Sequence, residues 1–291
     1  ISKADIDSFI SAAATTDFKR LLLIDTSLQP IGNNAMSTLA NLSQEYIRIQ
    51  LKELEESLID WSSYIKNNGE VKLRSKKKLR DDQIYVLRKV REGFKTNDRG
   101  KIIMACGTGK TFTSLRITED IAGEGKIVLY MVPSLALMSQ TIREWKNDSL
   151  NDFIAFSACS DSKVGRRNSQ NDLVEVSLND LAFPACTDPE NLSQKIKEAD
   201  QSKLIVVFST YQSIDVISKA QQKYGLRDFD LIICDEAHRT TGATLSGKDE
   251  SKFIRIHKDE NIKAKKRLYM TATPKIYGET AKKKEYEGEV N

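Results

Sequence analysis

The sequence predicts an α/β fold whose larger part is a parallel sheet covered by helices on both faces. Three observations predict it. Six apolar runs alternate with amphipathic stretches: KIIMA (101–105), KIVLYMVP (126–133), DFIAFSA (152–158), KLIVVFS (203–209), DLIICDE (230–236) and RLYMTAT (267–273). Alternation of this kind, with strands apolar along their length, belongs to sheets buried on both sides. The first run leads into a glycine-rich turn and a helix-like stretch, KIIMACGTGKT followed by FTSLRITEDIAG. The fifth run ends in two carboxylates, where open α/β sheets hold ligands.

Ahead of this sheet lies a smaller unit. ADIDSFISAAATT (4–16) has helical apolar spacing, RLLLIDTS (20–27) is a short apolar run ending in turn formers, NAMSTLANL (34–42) is again helical, and YIRIQL (46–51) alternates as a strand does. The polar stretch KNNGEVKLRSKKKLRDD (66–82) then reads as a connection. The expected organisation is a partial α/β unit over 1–62, a basic linker over 63–79 and the main α/β domain over 80–291. DDQIYVLRKVREGF (81–94) opens that domain as an amphipathic helix with acidic residues at its positive end. The segment from Ser160 to Ser202 is irregular and polar, with one helix in PENLSQKIKEA (189–199).

At 291 residues, 40% hydrophobic and 30% charged, the composition is that of an ordinary globular protein. No apolar run approaches the roughly 20 residues of a membrane-spanning helix. The opening ISKADIDSFI has neither an initiator Met nor a signal-peptide pattern, so the chain reads as a piece of something longer. Cys106, Cys159, Cys186 and Cys234 lack metal-ligand spacing and read as reduced thiols of a cytoplasmic protein. The net charge of +4 is unevenly spread: residues 66–101 hold thirteen Lys or Arg against five Asp or Glu. Such a stretch is either a solvated face or a phosphate-contacting surface, with Lys76, Lys77 and Lys78 as the candidates for contact.

The glycine-rich turn has the residue types of a phosphate cradle. Gly107 and Gly109 permit backbone conformations that side chains block, and the N–H groups from Gly107 through Thr108 to Thr111 can converge on a phosphate at a helix N-terminus. Lys110 would reach the β- and γ-phosphates, and Thr111 would offer its hydroxyl to Mg²⁺. Met104 stands where such loops often carry glycine or alanine, but it precedes the donors. In LIICDEAH (231–238), Asp235 would hold Mg²⁺ through water and Glu236 would orient or deprotonate the attacking water. His238 is either a link from the nucleotide to the rest of the machine or a packing residue.

In their order these motifs resemble a superfamily-two helicase or translocase of the DEAH type, over about residues 80–285. The resemblance implies a RecA-like lobe binding ATP and Mg²⁺, with Gln83 in LRDDQ recognising adenine. VPSLALMSQTIREW (132–145) and FSTYQS (208–213) resemble segments that contact nucleic-acid backbone, which implies such contacts for Pro133, Ser134, Thr210 and Tyr211. MTATP (270–274) resembles the coupling motif, implying that Thr271 and Thr273 link nucleotide state to nucleic-acid grip. MACGTGKT resembles the loops of restriction-enzyme motor subunits. The wording of 130–145 and of VSLNDLAFPACTDPENL (176–192) resembles single-chain, type ISP restriction-modification enzymes.

The first 60 residues resemble the closing half of an Mrr-type nuclease domain. In that family a nuclease precedes the motor, and a coupler, an adenine methyltransferase and a target-recognition domain follow it, all working on double-stranded DNA. Asp5, Asp7 and Asp25 lack the D…(D/E)-x-K spacing of the nuclease centre, and no cutting role is expected of them. The second RecA-like lobe, which supplies an arginine to the ATP in this superfamily, is not in this sequence, so the 291 residues alone are expected to bind ATP and turn it over slowly. Two other readings stand beside this one: a superfamily-two helicase of DNA repair or RNA metabolism, and a non-catalytic, ATP-locked nucleic-acid-binding module.

Overall fold

The computed structural model describes residues 2–15, 18, 20–27, 32–40, 45–55, 57–67, 69–160, 185–237 and 255–273. They divide into two compact units, Ile1–Lys76 and Lys77–Asn291.

The first unit contains α1 (Lys3–Thr15), β1 (Arg20–Asp25), α2 (Asn33–Ala40), β2 (Glu45–Gln50), α3 (Leu51–Glu55) and α4 (Trp61–Lys66). β1 and β2 pair in parallel, with Leu22 opposite Ile47 and Asp25 opposite Gln50. Ile6, Ala35 and Leu39 form its small core, with Phe9, Ile10 and Leu23 packed against them. The stretch that read as a connection is exposed from Glu70 to Lys78, yet part of it is folded back. Ile59 and Leu73 form an antiparallel bridge, and the Arg74 N–H donates to the Leu58 carbonyl at 2.7 Å.

The second unit is a seven-stranded parallel sheet with α5 (Asp81–Gly93), β3 (Arg99–Ile103), α6 (Lys110–Ile121), β4 (Ile127–Val132), α7 (Leu135–Asp148), β5 (Phe153–Ala158), β6 (Ala185–Cys186), α8 (Pro189–Glu198), β7 (Leu204–Thr210), α9 (Ile214–Tyr224), β8 (Leu231–Cys234) and β9 (Arg267–Thr271). The strand order is β3-β9-β8-β4-β7-β5-β6. All six apolar runs are strands; β3, at the end of the strand order, buries only Ile102, while in the inner strands the alternation of side chains between two cores explains why they are apolar throughout. From β4, Val128, Tyr130 and Val132 enter one core while Ile127, Leu129 and Met131 enter the other. β7 and β8 divide in the same way, with Phe208 and Ile233 on the first side and Val207 and Ile232 on the second.

Helices α5, α6 and α7 cover the first core, and α8 and α9 the second. Local signals set their ends. The Ser134 hydroxyl accepts from the Leu137 N–H at the start of α7, the Asp188 carboxylate accepts from the Asn191 N–H at the start of α8, and α9 stops at Gly225 with φ 67°. The short β6, within the segment read as irregular, pairs with the end of β5. Among the described residues no helix is long and apolar enough to cross a membrane.

Candidate functional site

The C-terminal ends of β3, β8 and β9 are neighbours in the sheet, which brings three separate sequence segments to one place. β3 ends at Ile103. Met104 then turns inward, 7% exposed in the first core, and its N–H donates to the Thr271 carbonyl at 3.0 Å. Its side chain is thus a plug beneath the loop, and its backbone ties the loop to the end of β9. Gly107 and Gly109 both have positive φ, 76° and 81°. At Gly109 the left-handed conformation favours glycine, and an added Cβ, 2.6 Å from Gln83 Nε2, would push the Gln83 amide out of its present place.

The phosphate loop leads into α6 without a side-chain cap. Among the described residues the N–H groups of Gly107, Gly109 and Lys110 have no acceptor. Unanswered donors at a helix N-terminus constitute an anion cradle, and the residues therefore fit a phosphate.

Two side chains of the α5 start fasten the loop. Gln83, buried, accepts the Arg80 N–H on Oε1 at 3.1 Å and donates from Nε2 to the Thr108 carbonyl at 3.1 Å. Arg80 donates to the same carbonyl at 2.7 Å while paired with Asp82 at 3.0 Å. Arg80 was not singled out in the sequence; its place at the N-cap of α5, three residues before Gln83, was the available signal. Trp145, likewise missed, sends its indole N–H from α7 to the Thr111 carbonyl at 3.1 Å.

Opposite the loop, β8 delivers Asp235 and Glu236. Lys110 Nζ lies 3.4 Å from Glu236 Oε1. Asp235 is buried, and burial raises its carboxyl to about 6; the Glu236 N–H, at 2.9 Å from Oδ1, and the Lys110 charge oppose that rise, while the Glu236 charge adds to it. A carboxylate so short of compensating charge suits a cation, and with Thr111 at the second position of α6 the donor set is the oxygen-rich one that Mg²⁺ takes beside a phosphate. Glu236 has φ 49°, the left-handed value, alone in this among the described non-glycine residues.

The remaining candidates are distributed as follows. Thr271 is buried at the end of β9, its hydroxyl accepting from the Thr273 N–H at 3.2 Å, and Thr273 is exposed. His238 lies outside the described residues. Pro133, Thr210 and Tyr211 are buried, so the structure does not bring their side chains to a surface. Tyr211 points into the second core, and its hydroxyl donates to the Asp235 carbonyl at 2.7 Å. Ser134 caps α7. Lys76 and Lys78 are exposed, while Lys77 is anchored to Asp148 at 2.9 Å. All four cysteines are free thiols; burial pushes Cys159 and Cys234 up to about 12, and only Cys106, in the phosphate loop, is exposed.

Comparison with known proteins identifies the family and the fold. A DNA-bound ATP-dependent Type ISP restriction-modification enzyme, LlaBIII, superposes with a TM-score of 0.78 at 39% identity, over 97% of this chain and 18% of its own. A nuclease-deletion mutant of the Type ISP enzyme LlaGI, in complex with a DNA substrate mimic, matches with a TM-score of 0.55 at 42% identity, over 69% of this chain and 18% of its own. A protein of African swine fever virus, named as a probable helicase, is 31% identical over 198 residues, 67% of this chain and 20% of its length. The chain thus spans about a fifth of the length of these relatives. Residues 1–71 match a family described as restriction endonuclease. Residues 76–276, the greater part of the chain, match the family described as Type III restriction enzyme, res subunit, and the chain belongs to that family.

Proposed function

We propose that this chain is the ATP-binding and ATP-hydrolysing first lobe of a motor that translocates on double-stranded DNA within a restriction enzyme of the type ISP kind, with the last part of an Mrr-like nuclease unit ahead of it. The observation that carries the reading is the approach of Lys110 to Glu236 across an open cradle of backbone donors. Gly107, Thr108, Gly109, Lys110 and Thr111 hold the phosphates, Gln83 reads the base from beside the loop, and Thr111 and Asp235 hold Mg²⁺. Bound Mg²⁺ would neutralise phosphate charge and polarise the transferred group. Glu236 places the attacking water, and Thr271, joined to the loop through Met104, passes the nucleotide state from the end of β9 to Thr273, whose N–H donates to its hydroxyl. His238 takes the same coupling role.

The nuclease part ends and the motor begins within the basic stretch 63–79. There Lys76 and Lys78 are set to meet DNA backbone, while Lys77, at the start of the second unit, is paired with Asp148 of the same unit. The enzyme works in the cytoplasm, and the nuclease, methyltransferase, target-recognition and second-lobe parts are its partners in one polypeptide. The extent of the LlaBIII likeness, over both units, favours this reading over a helicase of repair or RNA metabolism.

The test is made in the full-length protein. Lys110→Ala and Glu236→Gln should each lower duplex-stimulated ATP hydrolysis by about 10²–10⁴-fold and abolish ATP-dependent cleavage, the span expected for loss of a positioned acid–base or charge-stabilising group. Specific DNA binding, read by gel shift, should remain. Near-normal hydrolysis in either variant would overturn the assignment, and stimulation by RNA in place of duplex DNA would overturn the restriction reading.

A further inference from the structure

The backbone at Asp235 and Glu236 is held at three points, two of them on the peptide between these residues. The Asp235 N–H continues the sheet by donating to the Met131 carbonyl at 2.9 Å. The Glu236 N–H turns back to Asp235 Oδ1 at 2.9 Å. The carbonyl between them receives the Tyr211 hydroxyl at 2.7 Å, inside the second core, from a ring with no exposed surface. Directly after this peptide, Glu236 adopts φ 49°, a conformation that costs a non-glycine residue energy and persists only when its surroundings impose it. That backbone turn carries the Glu236 carboxylate to Lys110.

We infer that Tyr211 is a positioning residue for hydrolysis: its hydroxyl fixes the Asp235–Glu236 peptide so that Glu236 holds its water-placing orientation. The inference rests on the hydrolytic reading of Glu236 proposed above. Core packing accounts for the ring, but packing needs no hydroxyl. Its own place is secured at the end of β7, where Thr210 Oγ1 and Ser213 Oγ are 2.9 Å apart and the Ser160 N–H donates to Ser213 Oγ at 2.7 Å. Tyr211 therefore links the end of β7 to the hydrolytic strand from within the core, a role different from the nucleic-acid contact that the sequence implied.

Tyr211→Phe in the full-length protein tests this, because it keeps the ring and removes the hydroxyl, with its bond to the Asp235 carbonyl and its contact with the Cys234 thiol. Steady-state hydrolysis at saturating duplex DNA should show kcat lowered about tenfold to a hundredfold, the scale of a misplaced catalytic group, with the KM for ATP and the affinity for a fluorescent ADP analogue within about twofold of the parent. Unchanged kcat would overturn the inference. So would a rise in KM or a loss of ADP-analogue binding that matches the fall in kcat, or a Phe variant that no longer folds, since each would make the hydroxyl a purely structural bond. Glu236→Gln run in parallel separates the two levels. If it still turns over ATP, the hydrolytic reading has failed; if it is inactive while Tyr211→Phe is normal, only the role of Tyr211 has failed.

Discussion

The two units use the same kind of strand in opposite ways. β1 of the first unit, RLLLID, carries four consecutive apolar residues between charged ends, and β4 of the second, IVLYMV, is uncharged throughout. β4 is buried along its whole length between two cores. Among the described residues β1 has one neighbour and one covered face: Leu21 and Asp25 are buried, while Leu22 and Ile24 are 54% and 56% exposed beside Ile47 at 48%. Apolar content thus marks a strand but does not say how many of its faces the surrounding chain covers. The second unit also gathers its polar chemistry at strand ends, above a core continuous on both sides. The first places an ion pair, Asp25 with Arg48 at 2.5 Å, at the end of β1.

Trp145 gives the largest expected effect within this comparison. It is fully buried in the first core, with Tyr130, Phe208 and Phe153 ring centroids at 5.0, 5.5 and 6.1 Å, and its N–H supports the Thr111 carbonyl. Trp145→Ala should destabilise the second unit by about 4 kcal/mol, as large-to-small changes of buried aromatics do. Urea unfolding followed by far-UV circular dichroism measures it, and a loss below about 1 kcal/mol would mean that the core collapses around the gap.

Next is the ion pair of the first unit. Burial alone would raise the Asp25 carboxyl, but hydrogen bonds from Arg48 and Ser27 prevail and hold it below the ordinary carboxylate value. The folded pKa is therefore the lower one. The pair's contribution is complete above the unfolded value of about 3.9 and disappears as pH falls through the folded value. Arg48→Met leaves Asp25 buried without its cation and should cost about 3 kcal/mol at neutral pH, at the lower end for a broken buried pair because Arg48 is partly exposed. Trp61 lies in the first unit and the other tryptophan, Trp145, in the second, so Trp61 fluorescence in a Trp145→Phe background reads the first unit separately. The gap between the Arg48→Met variant and its parent should close as pH drops below about 4; a gap that stays constant would show that the pair is not its source.

These contrasts also mark what the sequence could convey. The six strands of the sheet were legible because each is a bounded apolar run, and the phosphate loop and carboxylate pair were legible because their residue types recur in fixed local order. Local order does not encode distance, so the approach of Lys110 to Glu236 and the left-handed turn at Glu236 become visible only when β8 is set near β3. The inward course of Tyr211 was hidden for a related reason. It follows β7 in a single 3-10 turn, Tyr211–Ser213, where strand periodicity has ended and no longer says which way a side chain points. β6 is two residues long, too short for any pattern.

The smallest expected effect is the sharpest test of the difference between the strands. Ile24→Thr keeps the β-branched shape that suits a strand and removes apolar surface from a side chain that is more than half exposed. In the 291-residue chain it should change the urea midpoint of the first unit, read by Trp61, by no more than about 0.5 kcal/mol of stability, as surface substitutions do. The side chain and its neighbours Leu22 and Ile47 lose little burial because they have little to lose. A cost above about 2 kcal/mol, the scale of core substitutions, would show that this face of β1 is covered in solution. The two strands would then differ in what covers them and not in whether they are covered.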